Sequence, residues 1–509
     1  MAISTAVSID RISRIVGYKL KAANFAPDVP YLPQRIIVLG EANTANQGGL
    51  AAEMFDFTNA KEVGDRYGYG SPLHQMARIL RPQNGNLLGG IPTVISPQIS
   101  DVGATATVVK VGVTGTATAN ATHYIVVSGR DNVDGESYAI NIVLGDIAAA
   151  IEAKIVDAIN GVLGAPATAA DNAGDIDITS KWEGVTAAEL NVSFDTGNNA
   201  AGITYAEISK VPGAGVVTLT ATLALWGSDW NTLVINPYTD LIDELEVFNG
   251  VPDPVTPTGQ YTGIIFKPFI ALFGSVLDTK SGLVAITDAS ARKSQVTNVL
   301  CPAPASAAHT WEAAANVGAV IAPIFQKSPH TPVSGRSYPD MPVPADGDIN
   351  EMTAYDNRDY LVKRGCSTVN LTNGKFTIED LITTYHPTGE VPPQFRYPRN
   401  LNIDFNVRYM YYLLEIVNVV DHSIAASDQP IRVDGVVKPK QWKQVLNDLA
   451  DNMAEKNMII DPDFMKDSIK VAISTVNPDR METYFEYKRS GTVRIASTTA
   501  AAGFAFGVE

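Results

Sequence analysis

Thr232-Leu-Val-Ile-Asn-Pro-Tyr-Thr-Asp-Leu-Ile-Asp-Glu-Leu-Glu-Val-Phe248 contains a complete strand–helix unit. Thr232–Asn236 is short, apolar and uncharged, as a strand buried on both faces is. Asp240 can cap the helix Leu241–Phe248, and Asp243 and Glu244 fall in its first turn, where the helix dipole favours acids. Downstream, Leu283–Thr287 reads as a further strand, Asn298–Ala308 as a turn-rich connection and Trp311–Gln326 as a mostly apolar helix. Upstream, Arg35-Ile-Ile-Val-Leu39 is the first globular strand. This alternation predicts an α/β layer over 216–330. Beyond it, strands are expected around Ser367–Leu371 and Lys375–Tyr385, helices over Leu401–Val420 and Lys440–Lys456, and a strand over Ile469–Thr475.

The α/β pattern is interrupted at about 97–215 by a block rich in Thr, Val, Ala and Gly. It holds 14 acidic and 5 basic residues, or −9 of the chain's −16. Its one clear helix is Asp146–Asn160, with Asp146 as N-cap, Gly161 as stop, and Ile147, Ile151, Ile155 and Ile159 forming an apolar stripe. Strands Tyr138–Leu144 and Asp175–Thr179 are expected to pack on that stripe. Asp131-Asn-Val-Asp-Gly-Glu136 lacks the alternation of a calcium loop and reads as an Asp-Gly hairpin turn. The block looks like a small α+β domain inserted into a larger one, with its charge facing outward.

Both ends of the chain differ from the middle. Ile3, Thr5, Val7 and Ile9 alternate with Ser4, Ala6, Ser8 and Asp10, the two-residue period of a half-buried strand, but no hairpin partner lies nearby. Prolines 27, 30 and 33 then make a stiff, extended spacer. At the other end Val493 and Ile495 alternate with Thr492, Arg494 and Ala496, and Phe504, Phe506 and Val508 alternate with Ala505 and Gly507. Unpaired apolar strands aggregate unless something pairs with them.

The 509 residues are 45% hydrophobic, enough for several domain cores. With 38 basic residues against 54 acidic ones, the chain repels nucleic acid and anionic membranes at long range. No run of about 18 apolar residues suggests a membrane span. Met1–Asp10 lacks the basic-then-apolar pattern of an export signal, so export by that route is not expected. Cys301 and Cys366 read as reduced thiols. Phosphate-loop, dinucleotide, HExxH, CxxC and GxSxG patterns are absent, and the six histidines show no ligand spacing. No catalytic residue, cofactor or metal is therefore expected.

Several segments, in order, resemble the tail-sheath proteins of contractile-tailed bacteriophages of the Mu-like type. They are Arg35-Ile-Ile-Val-Leu-Gly-Glu-Ala42, Val63-Gly-Asp-Arg-Tyr-Gly-Tyr-Gly-Ser-Pro-Leu-His74, Gly365–Tyr385 ending in Thr-Thr-Tyr, and Lys470–Val476 followed by Asn477-Pro-Asp-Arg-Met481. The chain departs from the pattern at Asp380, where a basic residue is expected. The resemblance implies a multidomain α/β and α+β fold. Its parts would be an N-terminal linking arm (1–22), the first part of an α/β sheath core (23–96), an outward β-rich insert (97–215), more core (216–385), an inner domain (386–489) and a C-terminal linking arm (490–509). It implies hexameric rings stacked as a six-start helix around a tail tube, assembled in the host cytoplasm as part of a virion tail and contracting without fuel. Tube, baseplate and tail-terminator proteins would be the partners, with no direct nucleic-acid contact and no membrane insertion. The arm residues Ile3, Val7, Ile9, Val493, Ile495, Phe504 and Phe506 would add strands to neighbouring copies, and Lys440, Lys443 and Lys456 are candidates for facing an acidic tube. A tailocin or other contractile injection device shares these mechanics, and a different tail or baseplate component is the remaining structural alternative. Because the insert reads as self-contained, its removal is expected to preserve assembly.

Overall fold

The structure is a computed structural model and describes residues 29–502 except 86 and 228. The arm residues Ile3, Val7, Ile9, Phe504 and Phe506 lie outside the described residues. The fold is mixed α/β in two compact units, one of residues 32–408 with 489–502 and the other of residues 29–31 with 409–488. The division falls inside the helix Pro398–Asn418.

The larger unit is built on a six-stranded sheet in the spatial order Asn298–Pro302, Ile270–Ser275, Leu233–Asn236, Ile36–Glu41, Thr93–Gln98 and Phe55–Asp56. The first five strands are parallel and only Phe55–Asp56 runs antiparallel. Every residue of the five parallel strands is buried, because helices and loops cover both faces. Ile37, Leu39, Val94, Val234 and Ala271 pack with Leu219, Trp226, Tyr238, Leu245 and Phe269 on one face. The helices Pro72–Leu80 and Thr310–Lys327 pack against the sheet. Gly274 makes that approach possible, since a Cβ there would lie 1.7 Å from the Thr310 carbonyl oxygen.

The strand–helix unit that opens the sequence reading is present as Leu233–Asn236 and Ile242–Asn249, although Asp240 does not cap the helix. Two expectations are corrected. Leu283–Thr287 is not a strand but the end of a helix, Lys280–Thr287, started by Thr279, whose side chain accepts from the Gly282 N–H. The expected connection Asn298–Ala308 begins with the edge strand Asn298–Pro302. A short apolar run is ambiguous between helix and strand, so the cap at Thr279 and the pairing with Ile270–Ser275 decide these cases.

The strands Ile203–Val211, Ala106–Gly115, Asp175–Glu183 and Ala167–Asn172 form one sheet, and Val192–Asp195, Ala121–Val127 and Ala139–Ile142 another. With the helix Ala148–Gly161 they bury Val109, Val111, Ile125, Ile140, Ile151, Ile155, Ile159, Ile176 and Ile178 in one cluster. Asp146 is not the helix cap. Its carboxylate accepts from Val143 N at 2.7 Å and holds Lys154, and Ile147 is exposed rather than part of the stripe. Asp134 and Gly135, both at positive φ, make the hairpin turn joining Asn132–Val133 to Glu136–Ser137.

In the smaller unit Trp442, Leu446, Leu449, Ala450 and Met453 line the buried face of the helix Pro439–Glu455. Lys470–Ile473 and Met481–Tyr484 form an antiparallel pair. No helix among the described residues is long and apolar enough to cross a membrane.

Candidate functional site

In doubly wound sheets, ligands bind beyond the carboxyl ends of the strands, where the strand order reverses. Here the reversal lies at Ile36–Glu41, flanked by Thr93–Gln98 on one side and Leu233–Asn236 on the other. The insert occupies that position. Glu41, 1% exposed, accepts a hydrogen bond from Thr186 Oγ1 at 2.9 Å, and Trp182 Nε1 donates to the same hydroxyl at 3.1 Å. Burial pushes the Glu41 carboxyl up to about 7, against the opposing hydrogen bond from Thr186.

Beside this contact, the N-terminus of the helix Thr310–Lys327 is held by carboxylates from both sides. Glu312 of its own first turn accepts from the His309 N–H at 3.4 Å. Glu189 of the insert accepts from the Thr310 N–H and hydroxyl, both at 2.7 Å. Exposed backbone N–H groups and the dipole make a helix start favourable for anions. Arg130 of the insert balances this charge. Its Nη2 donates to Glu312 Oε2 at 2.6 Å and its Nη1 to Asp340 Oδ1 at 2.9 Å. Burial alone raises the Glu312 carboxyl, but Arg130 and the His309 hydrogen bond outweigh it and leave Glu312 at about 2.

Within this joint lies a Ser–His–Glu series. Ser128 Oγ is 3.0 Å from His309 Nε2, and His309 Nδ1 is 3.3 Å from Glu312 Oε1. The order nucleophile, base, acid is that of acyl-transfer enzymes. Sequence reasoning missed it because Ser128 and His309 stand 181 positions apart with no local motif. Its surroundings oppose catalysis. Ser128 is 2% and His309 1% exposed, and the imidazole stacks on Trp311 at 4.4 Å with the Trp182 edge at 5.7 Å. A Cβ on Gly129 would already approach Ala308 N and Pro342 Cβ to 3.2 Å. A reacting carbonyl has no room beside the hydroxyl. The arrangement holds the insert in place.

The cleft beside the Pro72–Leu80 helix, of about 760 Å³, sets Lys61, Arg78 and Arg81 against Asp134, Glu136 and Asp340. Arg78 Nε is already paired with Asp134 at 2.9 Å. Among the described residues no group of three or more His, Cys, Asp or Glu is placed to hold a metal. Cys301 and Cys366 are buried free thiols.

The residues singled out at the chain ends have a distinct geometry where described. No strand is assigned after Lys488–Arg489 among the described residues, and Val493 and Ile495 are 87% and 89% exposed. Arg494 between them is anchored. Its Nη1 donates to Ser334 Oγ at 2.8 Å, its Nη2 donates to the Glu379 carbonyl at 2.9 Å, and the guanidinium pairs with Asp380. Asp380, where the resemblance leads one to expect a basic residue, thus meets a basic residue 114 positions further along the chain. Upstream, Arg399 Nη1 donates to the Ser490 carbonyl and Nη2 to the Ser490 hydroxyl, both at 2.8 Å. The segment is fixed at its root and presents apolar side chains outward.

Of the three lysines, only Lys440 is exposed without a described partner. Lys443 Nζ donates to the Ile469 carbonyl at 2.9 Å, and Lys456 Nζ donates to the Val29 carbonyl and lies 4.8 Å from the Tyr31 ring. The pair Lys470–Ile473 and Met481–Tyr484 has no third strand on either edge among the described residues. The Thr-Thr-Tyr motif is structural. Thr383 and Thr384 are buried, and Thr384 N donates to the Asn298 carbonyl at 2.9 Å, closing the edge of the six-stranded sheet.

No family model and no curated protein matches this chain. Among solved structures it is similar to the crystal structure of a sheath tail protein from Desulfitobacterium hafniense, with 11% identity, a TM-score of 0.43, and coverage of 93% of this chain and 100% of that one. A chain in the cryo-EM structure of the anti-feeding prophage baseplate is similar at 9% identity and a TM-score of 0.42, covering 97% of this chain and 100% of that one. The anti-feeding prophage helical sheath in its contracted state gives 9% identity and a TM-score of 0.42, covering 97% and 99%.

Proposed function

We propose that this chain is the subunit of a contractile tail sheath, polymerised as stacked hexameric rings in a six-start helix around a tail tube. The observation that carries the reading is a matched donor and acceptor. Among the described residues, the anchored C-terminal segment offers exposed Val493 and Ile495 without a strand partner, and the Lys470–Ile473/Met481–Tyr484 pair has no third strand on either edge. A two-stranded sheet alone is marginal in water and gains from added strands. Strands supplied by other copies would bring main-chain hydrogen bonds for affinity and alternate side chains for register. Identical copies joined by such non-closing contacts make a helical array. The ordered sequence resemblance supports the same assembly, with tube, baseplate and terminator proteins as partners in a virion tail. Lys440 stays the candidate for facing the tube.

Contraction is then a switch between two packings of rigid subunits joined through their ends. The buried joint between insert and sheet suits this role, because it keeps the insert with the core as the subunit turns.

Purified protein is expected to form long tubes in negative-stain images. The bond from Ser474 N to the Arg480 carbonyl sets the alternation of the pair, which leaves the Val471 and Met481 N–H groups on the open edges. The double variant Val471→Pro, Met481→Pro removes one outward donor from each edge, a place where strands tolerate proline. It is expected to remain a folded monomer by circular dichroism and to form no tubes. Tubes of normal length from this variant would exclude these edges as acceptors.

A further inference from the structure

The contact between Glu41 and the insert has a property that a plain packing contact lacks. Glu41 ends a central strand, is 1% exposed, and uses one oxygen to accept from Thr186. Its Oε2 and the Tyr238 hydroxyl are both buried without a hydrogen-bond partner of good geometry, and the two groups interact. The groups acting on the carboxyl are Thr186 and Glu189 from the insert and Tyr238 from the loop after Leu233–Asn236. The cross-strand neighbour is neutral Gln98, committed to the Ser96 carbonyl and Thr222. No cation among the described residues acts on Glu41, and the one charged group that does is another carboxylate. Arg130, the cation of the joint, is committed to Glu312 and Asp340.

A buried carboxylate without a cation is strongly disfavoured and takes up a proton instead. We propose that Glu41 is a proton-carrying pin between the insert and the six-stranded sheet, so that the joint is tight while Glu41 is neutral and loosens when it ionises. A protonated Glu41 can still accept from Thr186 and has an O–H to offer Tyr238, while an ionised Glu41 can accept from the Tyr238 O–H, so the hydroxyl can serve either state and burial without a cation is what favours the neutral one. An ionised Glu41 adds negative charge beside Glu189, whose own carboxyl burial also pushes up, in the same dry seam.

The sign follows from the raised value. A carboxyl that titrates higher when folded contributes stability below its unfolded value, and that contribution is lost as pH rises through about 7. Glu312 behaves oppositely. Held at about 2, it contributes above its unfolded value and keeps its pairing with Arg130 throughout the neutral range. Burial also raises Glu246 to about 7, against the Asn298 hydrogen bond, but it is a buried residue of the Ile242–Asn249 helix and serves as a control.

The test is hydrogen exchange of the full chain at the insert amides 184–190, corrected for intrinsic base catalysis, between about pH 6 and about pH 8. In the wild type the opening equilibrium should rise by up to about tenfold per pH unit below the Glu41 midpoint of the closed joint and level off above it, because opening releases one proton only while the closed joint still holds it. Glu246→Gln should keep this rise. Glu41→Gln, a neutral mimic that can still accept from Thr186, should abolish it. A flat wild-type profile, or the same rise in Glu41→Gln, would overturn the proposal. Should Glu41→Gln not fold, infrared spectroscopy of the wild type and Glu246→Gln replaces it. A protonated-carboxyl band that persists in Glu246→Gln at the low end of the range and disappears at the high end supports the pin, and its absence rejects it.

Discussion

Replacing Arg130 with Ala costs about 3–5 kcal/mol and lowers the midpoint of the first denaturant transition, because it leaves the Glu312 charge buried and unpaired. The side chain of Glu312 is 4% exposed and that of Arg130 16%, so solvent screens this pair little. The remaining neighbour, His309, accompanies a helix start that already receives the Glu189 carboxylate. Removing the guanidinium therefore leaves two carboxylates at one helix N-terminus with the cation gone. Glu312→Gln in the Arg130→Ala background should recover part of the loss, whereas a packing defect alone would not respond to it. The same reasoning alters the expectation for deleting 97–215. The deletion would remove Arg130, Ser128, Thr186 and Glu189 together, expose Trp311 and His309, and leave Glu41 without the Thr186 hydroxyl and Glu312 without its cation. Insoluble product is now the expected outcome of the simple deletion, and Glu41→Gln with Glu312→Gln is the background in which it should fold.

The difference between those two expectations shows what the sequence could reveal. The isoleucines at 151, 155 and 159 stand on one face of a helix whatever it packs on, so the insert's internal core was legible from spacing. Asp134-Gly135 makes its turn for reasons local to two residues. The joint was not legible, because Glu41, Arg130, Glu189 and the His309–Glu312 helix start come from four separate places in the chain. In a chain of 54 carboxylates nothing marks three of them as buried. The edge strand Asn298–Pro302 escaped for a related reason. Strands buried on both faces lose the polar–apolar alternation that identifies a strand. Lys443 and Lys456 looked free for a partner only because the carbonyls they bind, on Ile469 and Val29, carry no sequence signal.

A chain lacking residues 1–22 and 496–509 is expected to fold as a monomer with unchanged stability and to form no tubes. The C-terminal cut keeps Arg494 with its partners Asp380, Glu379 and Ser334, as well as the Arg399–Ser490 bonds, so the root of the segment survives. Residues 496–502 are exposed, and removing exposed chain away from such anchors changes stability by no more than about 0.5 kcal/mol. Assembly, by contrast, depends on what these ends supply. Burying an exposed aliphatic or aromatic side chain in a neighbour contributes about 1.5–3 kcal/mol, and the truncation removes Val7, Ile9, Phe504 and Phe506 from every copy. Because each copy would donate at both ends, the loss is repeated at each lattice contact. Arg494→Ala in the full-length chain separates anchoring from donation. It frees the segment from Asp380 while leaving Val493, Ile495, Phe504 and Phe506 in place, so tubes should still form but with less regular helical order. Normal tubes from the doubly truncated chain would mean that the ends do not join the subunits, and the sheath reading would lose its mechanical basis.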